Sequence, residues 1–233
     1  TKQIICHKLF TIFAVSRLFK MKTPFRTVLP PLPVSLNISY HSKMVTIGSC
    51  FSNAIGERLN AGKFKILTNP FGIVFNPLSI ADTIEQSLSG TEADADTLVF
   101  QNHLWHSWLH HGSFSNPDKQ QVLNNINEQY RLTRKWLAEA DVVFITLGSA
   151  WAYLHKEKNI TVANCHKVPQ HSFLKYLIDA DAIHNRFDTL IGKLKVINPV
   201  LKIVFTVSPV KHLRDGIVEN SLSKANLLVA IHK

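Results

Sequence analysis

The sequence predicts one α/β domain, an open and mostly parallel sheet with helices on both faces in a three-layer arrangement. Three observations carry this. Asp141–Gly148 and Leu201–Val207 are almost continuously apolar and rich in β-branched residues, as strands covered on both faces of a parallel sheet must be. Amphipathic helical patterns alternate with such runs along the chain. The chain has 233 residues, 45% of them apolar and 18% charged, so it can bury a core and is not a disordered polymer.

In chain order, residues 1–20 read as an extension upstream of a natural start at Met21, the first methionine. Their basic flank and short apolar run, Leu9–Val15, approach a secretory signal, but Ser16–Lys22 is a poor cleavage region. Pro30-Pro31-Leu32-Pro33 is an extended lead-in, since its prolines forbid helix. Lys43–Ile47 is a β-rich run ending at Gly48, and Asn53–Leu59 follows with helical spacing, Ala54, Ile55 and Leu59 sharing a side. Strand, tight turn, helix is the first clear unit. Two Asn-Pro steps bracket a loop from Asn69 to Pro77, and Leu78–Leu88 reads as a helix stopped by Ser89-Gly90. Residues 91–117 are rich in His and aromatics and read as short strands and loops. Lys119–Ala140 is a long amphipathic helix with Val122, Ile126, Leu132, Trp136 and Leu137 as its buried stripe. The strongest strand, Asp141–Gly148, is followed by a helix near Asp179–Val196 and the strand Leu201–Val207, which stops at Ser208-Pro209.

Composition narrows the function. The net charge is +10, but Lys2, Lys8, Arg17, Lys20 and Lys22, with no acid among residues 1–22, account for five of it. The remaining cations are scattered and lack the clusters that track a phosphate backbone, so no nucleic-acid partner is expected. No apolar run reaches the roughly 20 residues of a membrane helix. Three cysteines, Cys6, Cys50 and Cys165, make no disulfide framework and suit a reducing compartment; a cytoplasmic location is the expectation. In open α/β sheets ligands sit beyond the carboxyl ends of the strands. Ser49-Cys50, Gly148-Ser149 and Ser208–Asp215 each follow a strand, so the sheet gathers them on one edge.

Several blocks agree in order and spacing with one known family. They are Ile47-Gly48-Ser49-Cys50-Phe51-Ser52, Asn69-Pro70-Phe71-Gly72, Trp105-His106-Ser107, His110-His111-Gly112 and Thr146-Leu147-Gly148-Ser149-Ala150-Trp151. Asn164-Cys165-His166-Lys167, Ser208-Pro209-Val210-Lys211-His212 and Ser223-Lys224-Ala225 continue the series. From about Phe25 to Ala230 the chain resembles the GSCFA family, with Ser52 where alanine is usual. The resemblance implies an SGNH-hydrolase-like fold and ester chemistry, with a small-molecule or carbohydrate ester as substrate and no cofactor.

Laid on the Gly-Asp-Ser turn of SGNH enzymes, Gly48-Ser49-Cys50 puts Ser49 at the aspartate and Cys50 at the nucleophile; a register shifted by one makes Ser49 the nucleophile. A cysteine between a strand and a helix N-terminus stands where an anionic nucleophile is stabilised. Gly148-Ser149-Ala150-Trp151 stands at the block that supplies oxyanion donors but lacks its asparagine, which leaves Asn69 and Gly72 as substitutes. His103, His106, His110 and His111, with His166 beside Cys165, match no closed zinc spacing and read as pocket walls for substrate hydroxyls or as structural hydrogen-bonding groups, with no metal. Trp105 and Trp108 are candidates to stack on a sugar. SGNH enzymes carry a late Asp-x-x-His, whereas His212 and Asp215 here stand in the order His-x-x-Asp. His212 is the remaining base candidate. The resemblance therefore implies that the C-terminal part of the domain is missing, that hydrolysis by this chain is weak or absent, and that apolar surface is exposed. A non-catalytic glycan-binding module on the same fold is the alternative.

Overall fold

A computed structural model describes residues 36–211 and 216–233. The expectations for residues 1–20, for Pro30–Pro33, and for His212 and Asp215 lie outside these described residues. All the elements below belong to one unit, Ile38–Lys233.

The predicted strand–turn–helix unit is present as β1 (Lys43–Gly48) and α1 (Cys50–Ala61). A short strand, β2 (Lys65–Thr68), then pairs parallel with β1. Sequence reasoning missed it because four residues between a turn and an Asn-Pro step carry too little periodicity to read. The chain continues through α2 (Pro77–Ser89), the hairpin β3 (Leu98–Gln101) and β4 (Leu104–Ser107), and α3 (Lys119–Glu139). β5 (Val142–Leu147) returns to the main sheet. A three-stranded antiparallel sheet follows, from β6 (Trp151–His155), β7 (Ile160–Val162) and β8 (Phe173–Leu177). Then come α4 (Ala180–Ile197), β9 (Lys202–Val207) and α5 (Ile217–His232).

The main sheet runs β2-β1-β5-β9, with every neighbouring pair parallel. The chain steps outward from β1 to β2, then crosses back to place β5 on the other side of β1. The order reverses there, so the crevice beyond the carboxyl ends of β1 and β5 is the topological switch point where ligands bind in such sheets. Gly48 is in register with Thr146, and Leu147 with Val207, so these three strands bring their ends to one edge.

Helices cover both faces. Val45 and Ile47 of β1 and Val143, Ile145 and Leu147 of β5 join the main core with Ile80 and Ile84 of α2, Val122 and Ile126 of α3, and Ile183 and Leu190 of α4. Thr46 and Thr68, paired in register, point the other way, and α1 lies over them. A side-chain carbon on Gly56 would stand 2.4 Å from Thr68 Cγ2. α1 thus packs through its small residues Ser52 and Gly56, whereas Ala54, on the side expected to be buried, is exposed. In α3 the buried stripe is Val122, Ile126, Tyr130, Thr133 and Leu137; Leu132 and Trp136 are only partly covered. Asn76, Asp118 and Asp179 cap α2, α3 and α4 by accepting backbone N–H bonds, which fixes where these helices start. No helix among the described residues is long and apolar enough to cross a membrane.

Candidate functional site

The turn after β1 is the centre of the site, and glycine makes it possible. Gly48 has φ +133°, and a side-chain carbon there would sit 2.1 Å from the Thr146 carbonyl oxygen. No other residue fits this conformation and this contact. The Gly48 N–H donates to Asn69 Oδ1 at 2.9 Å, and its carbonyl accepts the Val74 N–H at 3.0 Å. The Ser49 N–H continues the ladder to the Thr146 carbonyl at 3.1 Å. Ser49 occupies the N-cap of α1 without capping it: its side chain makes no bond to the helix. Its hydroxyl is fully buried and has no partner. Cys50 is the first residue of α1, half-buried, with a free thiol. The two nucleophile candidates therefore differ in access: Ser49 is enclosed, and Cys50 reaches the surface.

The Asn69–Gly72 loop packs behind this turn. Asn69 has φ +40°, donates its N–H to the Thr46 carbonyl at 2.8 Å, and accepts the Gly72 N–H at 2.8 Å. Its side-chain amide nitrogen is buried and without a partner. Phe75 supplies the other constraint, because its carbonyl accepts the N–H groups of Gly148 at 2.9 Å and of Ser149 at 3.1 Å. The backbone donors of Gly72, Gly148 and Ser149 are thus all engaged within the protein. The Asn69 amide and the Ser49 hydroxyl are unengaged donors at the Gly48–Ser49 turn. Gly148 closes on that turn, since a side-chain carbon on it would lie 3.2 Å from Ser49 Cβ.

α5 contributes residues that sequence reasoning did not assign. Ser223 Oγ accepts the Ala150 N–H at 2.8 Å and pairs with Ser149 Oγ at 3.2 Å. Lys224 Nζ donates to the Gly148 carbonyl at 2.6 Å and to the Ser208 carbonyl at 2.7 Å, bridging the ends of β5 and β9. Burial lowers its pKa from the ordinary lysine range. The signal was the Ser223-Lys224-Ala225 block, which matched the family pattern without suggesting a role. Lys224 also lines a groove of about 490 Å³ with Val207, Pro209, Lys211, Ala225 and Leu228.

The histidines gather in a separate, buried cluster. His106 and His166 stack with ring centroids 4.5 Å apart. His106 is held by Ser115 Oγ at 2.6 Å and the Gln101 carbonyl at 3.0 Å, and His166 Nε2 donates to the Ser107 carbonyl at 2.7 Å. His110 Nδ1 pairs with Ser107 Oγ at 2.8 Å, while its Nε2 is buried and unpartnered among Phe71, Phe114 and Tyr130. Burial, with His166 adding to it, lowers the His110 pKa to about 3. Burial also lowers that of His166 to about 4, so both rings are neutral near pH 7. His111 lies against Gly72 and connects the cluster to the Asn69 loop. His103 stands apart, an exposed turn residue with φ +62° beside Asn102 with φ +51°, the backbone a two-residue hairpin requires. Trp108 is a core side chain, 1% exposed and packed on His155 and Phe173, so it offers no face to a sugar. Trp105 is partly buried with Lys119 over its ring. Burial raises the Cys165 thiol to about 11, which leaves it protonated. Among the described residues no three His, Cys, Asp or Glu side chains are grouped to hold a metal ion.

The model of the GSCFA family matches residues 43–233. No curated protein and no solved structure matches the chain.

Proposed function

We propose that this chain, which belongs to the GSCFA family, removes or transfers acyl groups from esters on an SGNH-hydrolase-like fold, with Cys50 as the nucleophile. The observation that carries the reading is the placement of Cys50: a half-buried free thiol at the first residue of α1, beyond the carboxyl ends of β1 and β5. Anions are stabilised at a helix N-terminus, and a thiolate is the attacking form of cysteine. Ser49, in contrast, is enclosed on all sides, and a buried hydroxyl without a base beside it is a poor nucleophile.

In this chemistry the thiol first loses its proton to water. The sulfur then bonds to the acyl carbon, the ester C–O bond breaks, and the departing alkoxide takes a proton from water. Water next attacks the thioester, releasing the acid and restoring the thiol, so the net reaction is ester plus water to acid plus alcohol. Charge that builds on the carbonyl oxygen needs donors, and the Asn69 amide supports that role because it is buried, unpaired and next to the turn. Removing such a donor typically costs about 3 kcal/mol of transition-state stabilisation. Acetylated carbohydrates are the proposed substrates. No imidazole hydrogen-bonds to Cys50 or Ser49 among the described residues, so both acylation and release of the acid proceed without a side-chain proton shuttle, and turnover is slow.

The test is an acetyl-ester assay on the wild-type chain and on Cys50→Ala, Ser49→Ala and Asn69→Ala. Cys50→Ala abolishes release of the alcohol, Ser49→Ala leaves it within a few-fold, and Asn69→Ala slows it by about 100-fold. Loss of activity in Ser49→Ala with Cys50→Ala intact reverses the assignment. Glycan binding with no ester cleavage in any form establishes the binding-module alternative instead.

A further inference from the structure

Another cleft, of about 320 Å³, opens between the Asn69–Gly72 loop and α3. Its wall is formed by Asn69, Pro70 and Gly72 of the loop, Ser113 of the turn ahead of α3, and Asn125 and Gln129 of α3. The last two are four residues apart, so they leave one face of the helix about one turn apart. No ionisable side chain lines this cleft, although the chain carries a net charge of +10. Asn125 is exposed and Gln129 half-buried, and among the described residues neither side-chain amide makes a hydrogen bond within the protein. Ser113 adds an acceptor. Its backbone N–H donates to His111 Nδ1 at 3.2 Å, so that nitrogen carries a lone pair and also takes the Ser113 hydroxyl proton, at 3.1 Å. The Ser113 oxygen keeps its own lone pairs free. Asn69 joins the cleft to the turn that carries Cys50: its Oδ1 accepts the Gly48 N–H at 2.9 Å, and its amide nitrogen is without a partner.

The ligand that fits this wall is neutral and rich in groups that donate and accept at once. A sugar hydroxyl does both, and a planar amide engages two neighbouring hydroxyls, one through its oxygen and one through its nitrogen. A phosphate or carboxylate finds no cation in the wall to pair with. A purely apolar ligand would cover the free amides and leave them unsatisfied. Pro70 and Phe114 supply carbon atoms against which the C–H face of a ring can rest. The volume is at the lower end of small-molecule sites, which run from roughly 300 to 1,000 Å³. We infer that this cleft is a sugar-binding subsite, in which Asn125, Gln129 and Ser113 hold the hydroxyls of one neutral ring. Its role in holding the carbohydrate part of the substrate rests on the ester-cleaving reading; the binding of sugar does not. No bond is made or broken in the cleft.

The experiment titrates the full chain with methyl β-glucoside and follows side-chain amide signals in proton–nitrogen correlation spectra, assigned with Asn125→Ala and Gln129→Ala. In the wild type the Asn125 and Gln129 signals should shift saturably, with a Kd of about 1–10 mM, as expected for one ring held by a few hydrogen bonds. Alanine suits the outside of a helix, so the double variant Asn125→Ala, Gln129→Ala should keep the wild-type backbone spectrum and bind the glucoside at least about ten-fold more weakly. No saturable shift of these two signals up to about 100 mM glucoside overturns the inference, and that result does not depend on any variant folding. Tighter binding of anionic glucuronate than of the glucoside overturns it too. An ester assay separates the subsite from the chemistry. The double variant should raise KM about ten-fold for an acetylated methyl glucoside and leave p-nitrophenyl acetate, which has no sugar, unaffected. Saturable glucoside binding with no ester cleaved sinks the hydrolase reading and leaves the cleft standing. Cleavage of both esters with an unchanged KM in the double variant sinks the subsite alone.

Discussion

Gly48, Ser49 and Cys50 show how three consecutive residues divide one task. Gly48 supplies a backbone that no side chain tolerates, so Gly48→Ala should cost about 2–4 kcal/mol of stability, read from urea unfolding. A cost under 0.5 kcal/mol contradicts the close approach to Thr146. Ser49 presents an enclosed hydroxyl with no partner, so Ser49→Ala should be neutral or slightly stabilising by the same measurement. The motif made this turn legible, because a glycine and two small nucleophiles between a strand and a helix pattern can be seen in a single sequence. It did not separate serine from cysteine, since that depends on which side chain the end of β5 covers. His110 makes a further prediction. Its folded-state pKa of about 3 lies below its ordinary 6.5, so only the unfolded chain gains a proton between those values. Stability is then complete above about pH 6.5 and falls with decreasing pH, by up to about 1.4 kcal/mol per pH unit from this group. His110→Phe should lose less stability between pH 7 and pH 5 than the wild type; an equal loss assigns the acid sensitivity elsewhere.

At the scale of elements, the long periodic segments could be read, as could β1 and the short strands within residues 91–117, but the other short strands could not. α3, β5, α4 and β9 matched their patterns because each covers a core face over several residues. β2 and β6–β8 were missed: they have three to five residues each, and their pairing depends on partners distant in sequence. α5 is the element on which the site depends most and which the pattern described least. Its outer face is apolar, with Val218 65% and Leu222 51% exposed, so hydrophobic spacing does not show which side packs inward. What docks it is polar. Ser223→Ala leaves the buried Ala150 N–H without an acceptor and should cost about 1–3 kcal/mol. Ser221→Ala, on the exposed side, should stay within about 0.5 kcal/mol. Equal effects of the two substitutions would show that Ser223 does not pin the helix.

For the whole molecule, the parallel sheet delivers β1, β5 and β9 to one edge, and α5 adds the lysine that joins two of them. That convergence was legible as an expectation, because polar residues followed each apolar run; the separation of the histidine cluster from that edge was not, since both lie in the same stretch of family motifs. The exposed side chains of α5, Val218, Leu222 and Val229, lie at helical spacing on one face. Contiguous apolar surface of this kind favours association. Light scattering should show concentration-dependent self-association that the double substitution Leu222→Glu, Val229→Glu suppresses. The measurement closest to the central claim is peptide mass spectrometry of the chain after brief exposure to an activated acetyl ester. The account predicts one acetyl group, on the peptide carrying Cys50 and lost on treatment with hydroxylamine. Acetylation confined to Ser49 or to surface lysines, with Cys50 unmodified, would contradict it.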